Sequence, residues 1–381
     1  MEKSFEEMPV AVACHPSANL ISVGFIDGSI SLSSFRVFAM AQSRKDIFDQ
    51  AHQSYSMNNL RLSEQWYRSH KRAVRRLRFS PDTGDHLLVI TKNRALCLWD
   101  VERGKKVRCV RCSHDSSPFA LHCLTDKVCA TGDESGQVKL WDWRVDSSPP
   151  CVVTFDEPHL DIVNDLTSSS DHKTLLAVSG DGTLAAFNAK KRALEMQSEE
   201  MHAELLSVTV ARNGQKVVCG SGEGGYVEMF NWDQFGNICE RGRTGHRDSV
   251  DRLLSIDESG LIASASADGS IRLLRVGQNT DLGPVGQHGE ENGEGASAVE
   301  DLAMTKDGSF LVSCGQDQKV KFWDLEEHLS KNGKNADEEP AAKKAKKKQR
   351  ESKKVDAGFF EGLFDGNEQG NFNNTSDSDS D

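Results

Sequence analysis

Apolar and polar positions recur along the chain in a cassette of about 45 residues. Each clear copy has an apolar run, several small residues, a tight turn and a stretch in which apolar and polar residues alternate. The ending is aromatic and acidic in two of these copies, as in Leu140-Trp141-Asp142 and Phe322-Trp323-Asp324. Runs with a period of two, separated by glycine-containing turns, predict β-strands joined by hairpins.

The cassette occurs seven times, with ends at positions 35, 100, 142, 188, 231, 275 and 324. A period of about 40–45 residues with this ending is typical of WD repeats, each of which forms one four-stranded blade. A single blade cannot bury both of its faces, whereas blades stacked around a ring cover one another. We therefore predict an all-β protein, a seven-bladed WD-repeat β-propeller over residues 1–330.

Two intervals between cassettes are longer than the rest. The first contains an insertion at about 37–59, interpreted as a short helix or ordered loop that projects from blade one. The last contains a polar loop at 289–295. The fourth strand of blade seven has two candidate sources, residues 2–7 or the segment after Asp324, and the sequence does not choose between them.

The composition changes after Leu325. Residues 331–381 contain ten basic and eleven acidic residues and few aliphatic ones. Such a segment buries too little apolar surface to offset the entropy of folding, so we predict a disordered, charged C-terminal tail. It contains a basic run at 343–354, a short apolar island at 358–364 and an end in which serine and aspartate alternate.

Composition excludes several classes of protein. The 381 residues carry a net charge of −12, which disfavours a uniformly basic nucleic-acid binder. No apolar run approaches the roughly 20 residues that span a bilayer, and the acidic N-terminus is unlike a secretory signal. The ten cysteines, several of them in apolar runs (Cys97, Cys219 and Cys314), predict free thiols in a reducing compartment.

Histidine, serine or threonine, aspartate and tryptophan recur in that order along several cassettes. The complete set is His288, Ser313, Asp317 and Trp323. Partial sets are His114, Thr131 and Trp141 with Ser135 in the aspartate place, and His246, Ser264 and Asp268 with Leu274 in the tryptophan place. Such residues suit a Ser-His-Asp triad, but recurrence on several blades favours a buried structural network. We predict no catalytic residues and no enzyme.

Two further motifs resemble ligand sites. The segment Cys109-Val110-Arg111-Cys112-Ser113-His114 has metal-like spacing but lacks a second paired knuckle. The segment Gly220–Gly225 resembles a phosphate loop, yet a strand follows it and no helix N-terminus is available. We therefore expect a hairpin turn there, and neither a metal nor a cofactor in the protein.

A basic sector stands out against the acidic background. Residues 68–111 contain 13 basic residues and four acidic ones. Two interpretations stay open: contact with RNA or an acidic partner, and a solvated blade edge whose charges discourage edge pairing. The candidate contact residues are Arg72, Arg75, Arg76 and Arg78.

The tail carries two candidate signals. The basic run is a candidate nuclear or nucleolar import signal, formed by Lys343, Lys344, Lys346, Lys347, Lys348, Arg350, Lys353 and Lys354. Ser376 and Ser378 each precede an aspartate by three residues and are candidate phosphorylation sites for acidophilic kinases.

Four stretches resemble the WD repeat-containing protein 55 family: 230–236, 285–288, 321–324 and 359–363. The resemblance implies a nuclear and nucleolar protein, with a cytoplasmic pool as a further option. It also implies a role in ribosomal RNA synthesis or processing and ribosome biogenesis, with pre-ribosomal particles among its partners. We expect a monomeric propeller that works as a scaffold within larger complexes, away from membranes.

A second resemblance implies an alternative function. Trp141-Asp142-Trp143-Arg144 is similar to the Trp-Asp-x-Arg motif of substrate receptors for cullin-4 ubiquitin ligases. In that family the arginine helps to dock the receptor on the ligase adaptor, which makes Asp142 and Arg144 the candidate docking residues. An ordinary surface position for Arg144 is the other interpretation.

Overall fold

Seven four-stranded antiparallel sheets make up the computed structural model of this protein. It describes residues 1–35, the backbone of 63–68, and residues 72–145, 149–155, 158–289 and 295–330. The insertion at 37–59 and the charged tail at 331–381, both predicted from the sequence, lie outside the described residues. The seven-bladed all-β propeller is confirmed.

The first strand, β1 (Glu2–Ser4), belongs to blade seven. Blade one contains β2 (Pro9–Cys14), β3 (Leu20–Phe25), β4 (Ser29–Ser34) and β5 (Ser63–Arg68). Blade two contains β6 (Val74–Phe79), β7 (His86–Thr91), β8 (Leu96–Asp100) and β9 (Lys105–Val110). Blade three contains β10 (Pro118–Cys123), β11 (Val128–Asp133), β12 (Val138–Asp142) and β13 (Cys151–Phe155).

Blade four contains β14 (Val163–Ser168), β15 (Thr174–Ser179), β16 (Leu184–Asn188) and β17 (Ala193–Gln197). Blade five contains β18 (Leu205–Ala211), β19 (Lys216–Ser221), β20 (Tyr226–Asn231) and β21 (Glu240–Arg243). Blade six contains β22 (Val250–Ser255), β23 (Leu261–Ser266), β24 (Ser270–Arg275) and β25 (Thr280–Gln287). Blade seven contains β26 (Val299–Met304), β27 (Phe310–Gly315) and β28 (Lys319–Asp324). Of the glycine-rich segment 220–225, the first two residues end β19 and residues 222–225 join β19 to β20 as a hairpin turn.

The N-terminal strand closes the ring. Strand β1 pairs antiparallel with β28, with Glu2 opposite Lys321 and Ser4 opposite Lys319. The Glu2 carboxylate also accepts a hydrogen bond from Lys319 Nζ at 2.9 Å. Residues 325–330 form a short helical segment instead of a strand. Of the two sources that the sequence left open, the N-terminal segment supplies the fourth strand.

The innermost strands of neighbouring blades contact one another around the whole ring. Each of these strands has a register shift between its first and third residues, the signature of a β-bulge. The residue that follows the bulge can reach the next blade: Asp165 accepts a hydrogen bond from Val208 N at 3.1 Å, and Asp301 accepts one from Val12 N at 3.2 Å. Buried polar side chains therefore join one blade to the next.

The apolar core lies between successive blades. One cluster combines Leu140 and Phe155 of blade three with Val163 and Leu166 of blade four, all buried. The sheets approach so closely that a Cβ added at Gly132 would lie 2.4 Å from a methyl carbon of Val163. Each buried Å² of apolar surface contributes about 25 cal/mol. Because the clusters lie between blades, each interface between two blades adds its own share of the hydrophobic stabilisation.

The cysteines follow the sequence prediction with one exception. Cys219 and Cys314 are free and buried as expected, and burial raises the pKa of Cys14 and Cys123 to about 12. Cys97, predicted to be a free thiol, instead forms a disulfide with Cys109, because adjacent strands β8 and β9 place the two residues directly opposite each other.

In the described part of the chain we find no helix with the length and apolar character that a membrane span requires.

Candidate functional site

A buried hydrogen-bonded chain of four side chains crosses blade three. Trp141 Nε1 donates to Thr131 Oγ1 at 2.7 Å, and Thr131 Oγ1 lies 2.6 Å from His114 Nε2. The other ring nitrogen of His114 lies 3.0 Å from Asp133 Oδ2. Burial by itself would raise the pKa of Asp133, but the hydrogen bond from His114 and those from neighbouring hydroxyls hold it well below its usual range.

The aspartate of this chain is a correction to the sequence analysis. The sequence analysis has Ser135 in the aspartate place of this set. In the structure Asp133 fills that role and Ser135 only donates to it, Oγ to Oδ1 at 2.8 Å. Asp133 is the last residue of β11 and lies two positions before Ser135. Its side chain points back to the histidine, so its carboxylate reaches His114 Nδ1, the ring nitrogen that an acid at position 135 was expected to contact.

Blade seven contains the full set that the sequence predicts. His288 contacts Asp317 Oδ1 at 2.8 Å through Nδ1 and Ser313 Oγ at 2.7 Å through Nε2. Trp323 Nε1 donates to the same serine oxygen at 2.8 Å. Burial opposes ionisation of Asp317, yet its hydrogen bond to His288 and the charge of Lys321 lower its pKa to about 2.

Blade six has a shortened version. His246 contacts Ser264 Oγ at 2.8 Å and Ser270 Oγ at 2.7 Å. Ser270 in turn donates to Asp268 at 2.6 Å, so the aspartate, 3.7 Å from the imidazole, acts through a hydroxyl.

Blade four contains a set that the sequence analysis missed. His159 Nδ1 contacts Thr183 Oγ1 at 2.8 Å, and this hydroxyl donates to Asp181 at 2.7 Å. His159 Nε2 has no hydrogen-bond partner among the described residues. Strand register explains this, because Ala177 occupies the position that Thr131 holds in blade three. The available signal was spacing, since His114 and His159 each precede the innermost strand by four residues.

These networks are structural. Their histidines are at most 2% exposed, and four blades repeat the arrangement with small variations. In the described ranges no group of three or more His, Cys, Asp or Glu side chains is placed to hold a metal ion. The metal-like segment 109–114 ends in His114, whose two ring nitrogens are both engaged in the network.

The four candidate arginines of the basic sector do not form one exposed patch. Arg72 is exposed. Arg75 pairs with Glu134 of blade three at 2.9 Å, and its guanidinium lies 5.1 Å from the ring centre of Phe119. Arg72 and Arg75 are thus the members of this group that face outward, and their contact with RNA or an acidic partner stays a prediction.

The other two arginines point inward, which corrects the expectation of a four-residue surface. Arg76 is only 6% exposed and donates to the backbone oxygen of Arg75 at 2.9 Å. Arg78 reaches from blade two to Asp301 of blade seven, at 3.0 Å. Burial lowers the pKa of both guanidinium groups, and for Arg78 the carboxylate of Asp301 more than offsets that effect. Both residues lie on innermost strand β6 two positions apart, so the alternation of side chains along a strand places them on the same side.

The Trp-Asp-Trp-Arg segment lies where β12 ends. Arg144 Nε and Nη2 donate to the two carboxylate oxygens of Asp142, the shortest contact being 2.7 Å. The arginine side chain is 67% exposed, whereas that of Asp142 is 15% exposed. The hydrogen bond from Arg144, together with its charge, lowers the pKa of Asp142. The end of β12 in blade three therefore presents an exposed guanidinium whose orientation is fixed by a partly buried carboxylate.

A cavity of about 1030 Å³ lies between blades six and seven. Two of the cations that line it are already paired: Arg272 with Asp281, and Lys319 with Glu2. Lys321 donates to the backbone oxygen of Gln287 at 2.8 Å. A ligand that contacted Arg272 or Lys319 would have to compete with these existing ion pairs.

The candidate residues of the tail lie outside the described residues. The import run at 343–354 and the serines Ser376 and Ser378 therefore stay predictions.

Comparison with known proteins gives one consistent family. The family described as WDR55 matches residues 2–328. WD repeat-containing protein 55 of Bos taurus is 34% identical over 314 residues, which cover 82% of this chain and 74% of the bovine protein. The Homo sapiens protein of that name is 33% identical over 82% of this chain and 73% of its own length. The Arabidopsis thaliana protein is 32% identical over 84% of this chain and 82% of its own length.

Proposed function

The chain belongs to the WDR55 family, and from that membership we propose that it is a non-enzymatic nuclear and nucleolar scaffold for ribosome biogenesis. In this role it supports the synthesis or processing of ribosomal RNA by holding protein partners, with pre-ribosomal particles as the assemblies it joins. A propeller fold hosts many unrelated functions, so the fold supports the scaffold part of this proposal and leaves the pathway to experiment.

The observation that carries the proposal is the family match over residues 2–328, which spans every blade. The geometry is consistent with a scaffold. The repeated networks are buried and rigidify the ring, which leaves loops and blade edges to differ from one blade to the next. A rigid ring with several such surfaces can hold more than one partner at a time.

The direct test is sedimentation of tagged protein through a sucrose gradient with and without ribonuclease. We expect co-sedimentation with pre-ribosomal particles that ribonuclease abolishes, and accumulation of ribosomal RNA precursors in pulse labelling after depletion. Free sedimentation in both gradients, with unchanged precursor processing, would contradict the proposal.

Nuclear and nucleolar localisation rests on the basic run of the tail. Replacing the eight basic residues of 343–354 by glutamine should move a fluorescent fusion into the cytoplasm. Replacing Lys331 and Lys334, which precede the run in the same tail, is the control and should leave the signal nucleolar. Unchanged nucleolar signal after the first replacement would exclude this import role.

A second candidate function is supported by one specific feature, the exposed guanidinium of Arg144 held by Asp142. In this alternative the protein is a substrate receptor that docks on the adaptor of a cullin-4 ubiquitin ligase. Arg144→Ala should reduce adaptor recovery in a pull-down by roughly tenfold or more, as expected for a lost charge-assisted hydrogen bond. Arg103→Ala is the matched control, since Arg103 is a 78% exposed arginine just after the equivalent strand of blade two. Equal recovery with both variants would exclude this docking site.

A further inference from the structure

A small acidic cavity opens between blades four and five. Its volume is about 230 Å³, below the roughly 300–1,000 Å³ of pockets that hold drug-sized ligands. It is lined by segment 199–203, Glu228 of β20, loop 236–238 and Arg241 of β21. The loop is fixed to blade four by the hydrogen bond from Glu199 N to Gly236 O at 2.9 Å. The cavity suits a single side chain from another molecule.

Glu228 is the buried acid of this cavity. Its side chain is 6% exposed, and its Oε1 forms an ion pair with Arg241 Nε at 2.9 Å. Its Oε2 is buried without a hydrogen-bond partner among the described residues. Burial raises the pKa of Glu228 and the charge of Arg241 opposes that rise. A buried carboxylate oxygen without a partner is unfavourable. Glu228 belongs to the wall of the cavity, so a donor that entered the cavity and reached this carboxylate would remove that cost.

Strand register shows that Glu228 reverses the charge found at this position in other blades. Glu228 lies opposite Cys219, whereas the equivalent pairs are Lys139 with Thr131 in blade three and Lys321 with Ser313 in blade seven. Blade six has Arg272 opposite Ser264. Three other blades have a cation at this register position, so the structural role that the position has in the repeat does not account for an acid in blade five.

The cations of the other blades have a defined role. Lys139 Nζ donates to Ser113 O at 3.0 Å, and Lys321 Nζ donates to Gln287 O at 2.8 Å. Each acceptor is the residue just before the histidine of the blade's network. In both blades an internal ammonium group fills this space. Blade five has no such lysine at this position and places a carboxylate there instead.

Blade five has also lost the hydrogen-bond network that those cations support. Met201, Cys219 and Phe230 occupy the positions of the histidine, the hydroxyl residue and the tryptophan, and they pack in one apolar cluster. The apolar side chain of Met201 therefore lines the cavity where other blades have a polar ring. Ala203 and Ile238 add further apolar surface to the wall.

The charge around the cavity is negative. Glu199 and Glu200 are exposed at its border, and Arg241 is the one lysine or arginine among the described lining residues, which also include His202. That guanidinium is already engaged, since it pairs with Glu228 and lies 4.2 Å from the ring centre of Tyr226. A cationic guest is therefore favoured over an anionic or neutral one.

We propose that this cavity binds the side chain of an unmodified lysine presented by a protein partner. The aliphatic stem of lysine would pack on Met201 and Ile238, and its ammonium would donate to the free Oε2 of Glu228. One free oxygen suits the compact ammonium better than the guanidinium of arginine, whose fork prefers two acceptors. The described lining contains no Phe, Tyr or Trp to form the aromatic cage that methylated lysine requires.

The test uses full-length protein labelled with ¹³C at the methionine methyl groups. The ε-methyl resonance of Met201 reports on the cavity wall, and the probe is the capped peptide Gly-Gly-Lys-Gly-Gly. We expect a saturable shift with this peptide. Peptides that carry norleucine, arginine or trimethyllysine in place of lysine should bind roughly tenfold more weakly or not at all, since each loses the charge-assisted contact or its fit. Equal binding of the norleucine or trimethyllysine peptide would overturn the proposal.

Two variants assign the effect to Glu228. Glu228→Gln should weaken binding of the lysine peptide by roughly tenfold or more. Glu258→Gln, which removes the same charge from an exposed turn of blade six, should have no effect. If Glu228→Gln fails to fold, Asn237→Trp, which places an indole at the exposed rim, should block the peptide instead. Wild-type binding by a folded Glu228→Gln protein would refute the proposal, whatever the outcome of the ribosomal experiments.

Discussion

The hydroxyl of Thr131 is the point at which the buried network of blade three is most vulnerable. It contacts both Trp141 Nε1 and His114 Nε2, and all three side chains are at most 1% exposed. Thr131→Val keeps the shape of the side chain and removes the hydroxyl. Valine fits this position in the fold, because Val89 occupies the equivalent place in blade two. The substitution therefore tests the hydrogen bonds and not the packing.

The expected loss of stability follows from the two groups that are left unpaired. A buried donor or acceptor without a partner costs about 1–3 kcal/mol, so the indole N–H and the imidazole nitrogen together cost about 2–6 kcal/mol. That is a large part of the ~5–15 kcal/mol that typically separates folded from unfolded protein. We expect the free energy of unfolding to fall by an amount within this range.

The assay is equilibrium unfolding in urea, followed by both tryptophan fluorescence and far-ultraviolet circular dichroism. The midpoint should fall while the denaturant slope stays constant, which indicates a change in stability alone. Thr280→Val is the control, because Thr280 is exposed on β25 and should change stability by less than about 0.5 kcal/mol. If Thr131→Val were as small in effect as this control, the network would not stabilise the blade.

Three other substitutions test related features. Ala177→Ser should stabilise blade four by about 1 kcal/mol in urea unfolding, because it supplies the hydroxyl that His159 Nε2 lacks; no gain would mean that the ring nitrogen is already satisfied. Asp317 has its pKa lowered to about 2, so its pairing with His288 stabilises the fold fully above the unfolded pKa of about 3.9 and loses that effect as pH falls toward 2. The stability difference between wild type and Asp317→Asn should therefore shrink between about pH 4 and pH 2, and a constant difference would contradict the assignment. Gly286→Ala places a Cβ 2.0 Å from the indole of blade seven and should lower the thermal midpoint, with a cost of about 1–3 kcal/mol; an unchanged midpoint would show that the indole moves freely.

The periodic part of the fold was predictable from the sequence. Seven cassettes predicted seven blades because hydrophobic alternation and turn residues act locally, within one hairpin. The complete set in blade seven was recognised for the same reason. The set around His159 was missed because Ala177 and Phe187 replace the hydroxyl residue and the tryptophan. Two of the four residue types of the motif are therefore absent, although the histidine is at its usual position.

Other features depend on geometry that spacing does not encode. Arg76 and Arg78 resemble surface charges in the sequence, yet both lie on the same side of innermost strand β6 and point inward. The partner of Arg78 is Asp301, far away in sequence. Ring closure was undecidable because both candidate segments are short. Glu228 drew no attention, since an acid in an alternating strand looks solvated until its cavity is known.

The contrast between blades three and five indicates where to look for function in a repeat protein. In blade three Lys139, Thr131 and Trp141 serve the blade itself, and every polar group in that set has an internal partner. In blade five the same register holds Glu228 and Cys219, which cannot form those bonds. The blade stays folded because apolar packing replaces the network. One buried carboxylate oxygen, Oε2 of Glu228, is left without a hydrogen-bond donor among the described residues. Since each blade packs its apolar core only against its neighbours, a ring can tolerate one such blade. The departure from the repeat is where an external ligand would gain most.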